Sequence, residues 1–319
     1  MNTNGLFKLI PIFVLLISFA CEKDEEIIDD GTDAKGTISL EITDAPIDNS
    51  EVEGAFITVS GIKIDGTQVE GFEKTTIDLL AYQNGETRTL GEIETLAKSY
   101  NSVTLILDNA ADAEGNAPGS YVLDSDGNKH ALSTLDSSML MSEFDFVVEE
   151  ESMTNLVLDF DLRKSVKWED NNSDDQFDWI SEENLSNALR IINKDESGMI
   201  TGNCTDSLSQ SDKVLVFAYH KGSFDESTEL EYSSDSLLFQ NAVTSAEVQP
   251  NGDYALHFLN PGDYELHLAS FIEDEFSGNL EFDGMIELDV LSDVDISTIS
   301  VETSGTTTID LSLTGILSL

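Results

Sequence analysis

A short segment between the only two tryptophans of the chain has the residue types and spacing of a cation site. Calcium takes about six to eight oxygen ligands, and a loop with oxygen-bearing side chains at every second residue can surround one ion. The alternative is an acidic linker in solvent. The candidate ligands between Trp168 and Trp179 are Asp170, Asn172, Asp174, Gln176 and Asp178.

This segment resembles the first part of an EF-hand calcium loop. A complete EF-hand is not expected, because Asp175 stands where glycine is needed and Ser181 where the last glutamate is needed. Trp168 and Trp179 beside a calcium ion would also suit a glycan, since indole faces stack on sugar rings. The alternative is that both indoles anchor the loop ends in the core.

Two histidines form a weaker candidate. His257 and His267 flank Asn260-Pro261-Gly262, which predicts a type II turn with the two imidazoles opposed on neighbouring strands. Zinc needs three or four ligands, no third is evident, and solvated histidines are the alternative. No motif of a serine hydrolase, zinc protease or phosphate loop occurs, so an enzyme is not predicted.

The first residues predict where the protein is located. Lys8 precedes an apolar run over residues 9–17, followed by Ser18-Phe19-Ala20-Cys21. The run is shorter than the roughly 20 residues that span a bilayer. It resembles a bacterial lipoprotein signal peptide of residues 1–20, which implies lipidation of Cys21. The alternative is an ordinary secretory signal that happens to end in cysteine.

The residues after Cys21 refine this location. Lys23, Asp24, Glu25 and Glu26 resemble the export signal that sends Bacteroidetes lipoproteins to the outer leaflet of the outer membrane. The resemblance implies a lipid-anchored protein of the outer membrane, exposed at the cell surface. Residues 21–35 are acidic and low in aromatic residues, which predicts a flexible tether, and the alternative to the export signal is that its residues are only part of this tether.

The charge of the chain excludes some partners. It has 63 Asp and Glu against 15 Lys and Arg, a formal net charge of -48. Nucleic acids and anionic lipid surfaces need clustered cations, so neither is expected to bind the body. If Cys21 carries lipid, the other cysteine, Cys204, has no partner for an intrachain disulfide.

Many short alternating segments bounded by Gly, Pro, Asp and Asn predict an all-β fold of two antiparallel β-sandwich domains. The predicted domains are residues 36–195 and 198–319. The first contains the motifs Gly36-Thr37-Ile38-Ser39-Leu40, Thr43-Asp44-Ala45-Pro46, Val59-Ser60-Gly61-Ile62, Asp126-Gly127 and Leu158-Asp159-Phe160-Asp161-Leu162. With these motifs it resembles the DUF4382 family of bacterial lipoprotein domains, which implies an exported, β-rich and non-catalytic unit.

The second domain has the pattern Tyr254-x-Leu256-x-Phe258 followed by Pro261-Gly262-Asp263-Tyr264. This resembles the carboxypeptidase-regulatory or transthyretin-like sandwich, which implies a spacer or a ligand-binding accessory. We therefore expect a non-catalytic binding or display role, with glycan as the first candidate ligand. The alternatives are a structural spacer or adhesion scaffold for envelope proteins and, third, a hydrolase accessory protein. Exposed indoles would favour glycan binding, and buried indoles would favour the spacer.

Overall fold

The computed structural model describes residues 34–45, 47, 49–132, 139–168, 177–180, 185–206, 211–231, 237–274, 277–291 and 295–317. From Ala34 onward the chain forms one compact unit. None of the helices in these ranges has the length and apolar character that crossing a membrane would require.

The described chain is built almost entirely of strands, which confirms the all-β prediction. The N-terminal half contains β1 (Lys35–Ala45), β2 (Val52–Ile64), β3 (Thr67–Gln68), β4 (Thr75–Asp78), β5 (Arg88–Leu96), β6 (Ser99–Leu107), β7 (Tyr121–Asp124), β8 (Lys129–Ala131), β9 (Met139–Val147), β10 (Met153–Asp161), β11 (Val166–Trp168), β12 (Phe177–Trp179) and β13 (Leu189–Asn193).

The C-terminal half contains β14 (Gly198–Asp206), β15 (Lys213–His220), β16 (Thr244–Glu247), β17 (Asp253–Leu259), β18 (Gly262–Glu273), β19 (Leu280–Val290), β20 (Ile299–Val301), β21 (Thr306–Thr308) and β22 (Leu311–Leu317). The short helical elements are α1 (Glu226–Glu229) and the 3₁₀ turns Leu79–Tyr82, Leu162–Lys164 and Ser186–Ala188.

Two sheets enclose the core of the N-terminal half. One has the strand order β13-β10-β1-β5, and the other has the order β8-β7-β2-β6-β9 with β3 and β4 also paired to β2. Alternate side chains such as Ile38 and Leu40 of β1 meet Ile57 of β2 and Leu105 of β6 in one buried cluster. β1 and β10 run parallel within this otherwise antiparallel sandwich. Their carboxyl ends therefore lie at the same edge of the sheet.

A β-bulge in β2 explains an irregular hydrophobic pattern. Ala55, Ile57 and Val59 are buried at alternate positions, and the next buried residues are Ile62 and Ile64. The register against β6 shifts between Val59 and Gly61, so one extra residue is accommodated there. The extra residue keeps both apolar sets on the core face.

The C-terminal half is one curled sheet with the order β16-β15-β18-β19-β22-β14-β17, to which β20 and β21 add through β18 and β14. Its first and last strands, β16 and β17, come close to each other. The sheet thereby encloses a core that includes Val216, Tyr254, Leu268 and Leu311. The domain boundaries at 195 and 198 stay a prediction, although the two halves have separate main cores.

The predicted hairpin between β17 and β18 is wrong. β17 pairs with β14, whereas β18 pairs with β15, β19 and β20. The connection crosses between different parts of the sheet, and the positive φ of 54° is at Phe258 rather than at Gly262. The hydroxyl of Tyr264 donates to the carbonyl of Asn260 at 2.8 Å, which fixes this corner.

Candidate functional site

The sequence-predicted site is only partly covered by the structure. Cys21, Lys23, Asp24, Glu25 and Glu26 lie outside the described residues, as do the candidate calcium ligands Asp170, Asn172, Asp174 and Gln176. Trp168, Asp178 and Trp179 are described, and they lie on the antiparallel pair β11 and β12. The predicted calcium loop therefore connects two short paired strands.

Trp179 belongs to the core of the N-terminal half. It is 1 % exposed, and its ring lies edge-to-face with Phe160 at a centroid distance of 6.0 Å. Its indole N–H donates to the carbonyl of Leu132 at 3.1 Å. Because the ring is enclosed and its polar atom has a partner, Trp179 offers no face for a sugar, and we assign it to packing.

Trp168 lines a cleft between the two halves. The indole is half-buried against the N-terminal core, and the cleft has a volume of about 550 Å³. The N-terminal half contributes one wall and the segment around β19 contributes the other. The lining consists of Glu51, Asp124, Ser125, Asp126, Trp168, Phe177, Asp274, Ser277, Asn279 and Glu281.

The cleft is strongly acidic. The lining includes five carboxylates and, among the described residues, neither lysine nor arginine. Asp124 is held by the hairpin that joins β7 to β8. Desolvation acts to raise its pKa, but hydrogen bonds from His130 Nε2 at 2.8 Å and from Asn128 outweigh this effect and lower the pKa of Asp124 to about 2. This carboxylate is therefore ionised throughout the physiological range.

The floor of the cleft is a direct contact between the halves. Asn49 and Asn279 form an isolated β-bridge, and the amide of Ser50 donates to the carbonyl of Gly278 at 2.8 Å. Gly278 has a φ of 66°, and a Cβ at this position would lie 2.3 Å from Cγ of Glu51. Only glycine fits here, since both the conformation and the space exclude a side chain.

A second polar contact lies at the carboxyl ends of β1 and β10. The parallel pairing brings Asp44 of β1 close to Asp159 and Asp161 of β10. Nε and Nη2 of Arg190 approach Oδ2 of Asp159 at 2.8 and 2.6 Å, and Nη1 donates to the carbonyl of Phe258 in the C-terminal half at 2.7 Å. Arg190 thus connects a carboxylate of one half to the backbone of the other.

The 3₁₀ turn after β10 makes a similar connection. Arg163 and Lys164 are buried, at 4 and 7 % exposure. Arg163 donates to the carbonyls of Leu238 at 2.6 Å and Phe239 at 3.1 Å, and Lys164 donates to the carbonyl of Ala242. Buried charges are stable only where such partners replace water.

We call residues 237–243 the bridging segment, because they contact the cores of both halves. Leu237 packs against the N-terminal core, whereas Leu238 and Phe239 join a small cluster on the outer face of β15. Phe239 stacks on Phe217 with a centroid distance of 4.0 Å, and the guanidinium of Arg163 lies 5.1 Å from the centroid of the same Phe217 ring. The bridging segment therefore couples the two halves.

A cavity of about 260 Å³ lies between this segment and the strand ends. Burial raises the pKa of Asp44 well above its usual range, and the nearby Asp161 and Asp159 add to this effect. Burial also lowers the pKa of Lys164. The charged lining residues Asp159, Asp161, Lys164 and Arg190 have opposite charges or carbonyls as partners. This arrangement joins the halves rather than presenting a charge to a substrate.

Sequence reasoning missed these junction residues as a site. Asp159 and Asp161 occur in the apolar segment Leu158-Asp159-Phe160-Asp161-Leu162, where alternate carboxylates follow one face of an otherwise buried strand. Val157 precedes these two carboxylates on the same face of the strand. An apolar residue in line with the acids is a sign that this face is covered as well, and Val157 is indeed completely buried.

The described residues contain no group of three or more His, Cys, Asp or Glu side chains arranged to hold a metal ion. The predicted opposition of His257 and His267 is wrong, since their strands are not paired. His257 lies against Gly85 of the N-terminal half, and His267 stacks on Phe224 with a centroid distance of 3.7 Å. Burial lowers the pKa of both imidazoles.

Residues 35–176 match the family model described as "Domain of unknown function (DUF4382)". This confirms the predicted resemblance for the N-terminal half. The junction carboxylates Asp44, Asp159 and Asp161 all lie within the matched range. No curated protein matches the chain at a significant level.

The solved structures that match this chain include pilins. The Bacillus anthracis TIE protein is 12 % identical to this chain, with a TM-score of 0.19. The match covers 88 % of this chain but only 34 % of that protein. BcpA, the major pilin subunit of Bacillus cereus, is 10 % identical with a TM-score of 0.22, and the match covers 88 and 70 % of the two chains. The minor pilin GBS52 of Streptococcus agalactiae is 12 % identical with a TM-score of 0.19, covering 88 and 98 %. Values this low carry no argument about function.

Proposed function

We propose that this protein is a non-catalytic lipoprotein of the outer membrane, displayed at the cell surface, whose body is a rigid scaffold for envelope partner proteins. Lipid on Cys21 would anchor it, and the acidic residues after Cys21 would direct it to the surface. The acidic body would stay clear of anionic lipid. The DUF4382 match and the β-sandwich architecture agree with such a role.

The junction between the halves carries this proposal. A flexible pair of domains would share a small, solvated interface. Here Arg163, Lys164 and Arg190 cross the junction from the N-terminal half to backbone carbonyls of the C-terminal half. The bridging segment packs into both halves, and the bridge from Asn49 to Asn279 adds a second point of attachment. A body held at several separated points keeps a fixed shape, as a spacer requires.

Small-angle X-ray scattering of residues 22–319 tests the rigidity. The expected curve is that of one compact body, unchanged between low and high salt apart from the contribution of the first residues. The matched variant Arg163→Met with Gly278→Ala should scatter as a more extended and heterogeneous particle. A wild-type curve that requires two independently moving halves would refute the scaffold.

Mass spectrometry and surface labelling in the native host test the anchor. The expected product begins at an acylated Cys21, and Cys21→Ala should release the protein from the membrane fraction. Protease added to intact cells should digest the wild-type body if it is displayed outside. An unprocessed, acyl-free chain would overturn the envelope location.

Glycan binding is a second candidate, favoured by Trp168 in the acidic cleft. The indole is half-buried there, and carboxylates and the amide of Asn279 line the same cleft. A glycan array with the soluble body tests this role, and Trp168→Ala is the matched variant. If the Trp168→Ala variant still binds glycans, the sugar binds elsewhere on the protein. If the wild type binds no glycan on the array, glycan binding is refuted and the scaffold role remains as the proposed function.

A further inference from the structure

Most edge strands of the three large sheets have another strand beside them. Their strand orders end at β13 and β5, at β8 and β9, and at β16 and β17. β9 lies beside β13, β16 lies beside β17, and β8 lies beside β12. Within the described part of the chain, β5 has β1 as its only hydrogen-bonded strand neighbour. Among the described residues no strand pairs with the other edge of β5, although the carbonyl of Leu96 at its end accepts a hydrogen bond from the Tyr100 hydroxyl at 2.9 Å.

The side chains of β5 are suited to a further strand. None of its nine residues is buried. Leu90 and Ile93 pack against the N-terminal core but are only half-buried. Glu92, Glu94 and Leu96 are exposed. An added strand could cover the two half-exposed apolar side chains and pair with the open backbone edge.

The charge of this edge selects the occupant. Glu94 pairs with Lys35 at 2.5 Å, whereas Glu92 has no cationic partner among the described residues. A second copy of β5 would bring glutamates against glutamates, which is unfavourable in a strand pair. The register shift at Leu40 and Glu41, which leaves Leu90 as an extra residue, further opposes pairing of identical edges.

We propose that β5 is a β-augmentation edge for an extended segment of a partner protein with Lys or Arg on one face and branched apolar residues on the other. The cations would lie beside Glu92 and Glu94, and the apolar residues would cover Leu90 and Ile93. This inference rests on the scaffold role, because it names the chemistry by which a partner would attach. It differs from that role in its test, since rigidity is measured without any partner.

The experiment uses a labelled nine-residue peptide of alternating Lys and Val, the length of β5, and residues 22–319 of the protein. Fluorescence anisotropy gives the affinity, and hydrogen exchange of the protein locates the contact. Binding is expected to protect the amides of residues 88–96. A peptide with N-methyl groups on alternate residues should not bind, because it cannot form the strand ladder.

Charge reversal separates a site from diffuse attraction by the acidic body. The double variant Glu92→Lys with Glu94→Lys should bind the basic peptide about tenfold more weakly and should gain affinity for a peptide of alternating Glu and Val. Glu226→Lys with Glu302→Lys makes the same change in net charge at exposed positions of the C-terminal half and should have little effect.

Three results would overturn the proposal: no binding of the basic peptide, equal weakening by both double variants, or protection confined to residues outside β5. Unchanged melting temperatures would show that the variants are folded. A wild-type dimer in sedimentation whose formation protects the amides of residues 88–96 would instead assign the edge to self-association. The scattering experiment uses no peptide, so it tests the scaffold role independently of the proposal for β5.

Discussion

Asp44 is the most unusual ionisable residue of the junction. It is fully enclosed, accepts a hydrogen bond from the amide of Leu162 at 3.0 Å, and lies near two further carboxylates. Burial, with the charges of Asp161 and Asp159, raises its pKa well above the usual range of an aspartate. The folded state therefore favours the protonated form. Its stabilising contribution is complete at low pH and is lost as the pH rises through the pKa of the folded state.

Asp44→Asn should therefore stabilise the protein at high pH. The neutral amide removes the cost of ionising a buried carboxyl group, so the free energy of unfolding should exceed that of the wild type at about pH 8 and approach it at about pH 4. Urea unfolding at both values measures the difference. Asp263→Asn, at an exposed position, is the control and should show no such pH dependence. Destabilisation that is equal at both pH values would contradict the expectation.

Gly278 lies at a close contact between the two halves. Gly278→Ala should lower the free energy of unfolding by about 2 kcal/mol or more, because a positive φ costs roughly 1–2 kcal/mol and the new methyl group overlaps Glu51. Gly222→Ala is a matched control, since Gly222 also has a positive φ but no atom within 4 Å of the added Cβ. Denaturant unfolding should show the larger loss for Gly278→Ala, and equal losses would argue against the close contact.

Several single residues were predictable from sequence and others were not. The composition of Asp124-Ser125-Asp126-Gly127-Asn128 predicts a turn between two strands, and Gly127 has a positive φ of 81°. The burial of Trp179 was only one of two alternatives, because an aromatic residue beside acids fits both a core and a ligand surface. The structure distinguishes them through a backbone carbonyl, that of Leu132, which sequence patterns do not locate.

Among the elements, the 3₁₀ turn Leu162–Lys164 has the largest effect on the junction. It projects Arg163 and Lys164 in succession toward the bridging segment. In the sequence, two consecutive basic residues after a buried strand indicate a turn that is exposed to solvent. Their role follows only from the bridging segment, which lies about 75 residues later in the chain.

Arg163→Met should weaken this connection. The carbonyls of Leu238 and Phe239 would lose their donors at a buried position, so we expect a loss of about 3 kcal/mol in the free energy of unfolding. Hydrogen exchange should be faster in the bridging segment. Lys35→Met removes an exposed ion pair with Glu94 and should leave stability nearly unchanged, since such pairs contribute little. An unchanged exchange rate in residues 237–243 would show that Arg163 does not hold them.

Strand positions were easier to predict than strand partners. The alternation in Thr37 to Thr43 locates β1, because a half-buried strand needs it. The same alternation around Asn260-Pro261-Gly262 located β17 and β18 but gave the wrong pairing. Short loops usually join paired strands, and here the Tyr264 hydroxyl stabilises a corner between different parts of the sheet instead. The spacing of three residues between Val59 and Ile62, where regular alternation gives two, indicates the bulge in β2.

At the scale of the whole molecule, the charge of -48 acts on every conformation. Salt should raise the melting temperature, because screening relieves repulsion that is strongest in the compact state. The candidate calcium loop adds a second expectation, which the structure leaves as a prediction. Calcium chloride and sodium chloride are compared at equal ionic strength by thermal melting.

A calcium effect beyond that of sodium would support a specific site, which stabilises by mass action. The variant Asp170→Asn with Asp174→Asn should remove the additional shift, whereas Asp225→Asn with Asp295→Asn makes the same charge change at exposed turns. Equal shifts in the two salts would remove the calcium proposal and leave charge screening as the only effect.

The position of β1 has a mechanical consequence for an anchored protein. β1 directly follows the N-terminal residues and lies between β5 and β10, not at a sheet edge. If the chain is anchored through Cys21 as proposed, a pull from the membrane would act along this strand and shear both ladders together, so their hydrogen bonds would resist the force in parallel rather than opening one by one. In single-molecule stretching, Ser39→Pro should lower the rupture force, because it removes a backbone donor from an inner strand. Drag on the body would then act on an inner strand of the N-terminal half that is paired on both sides.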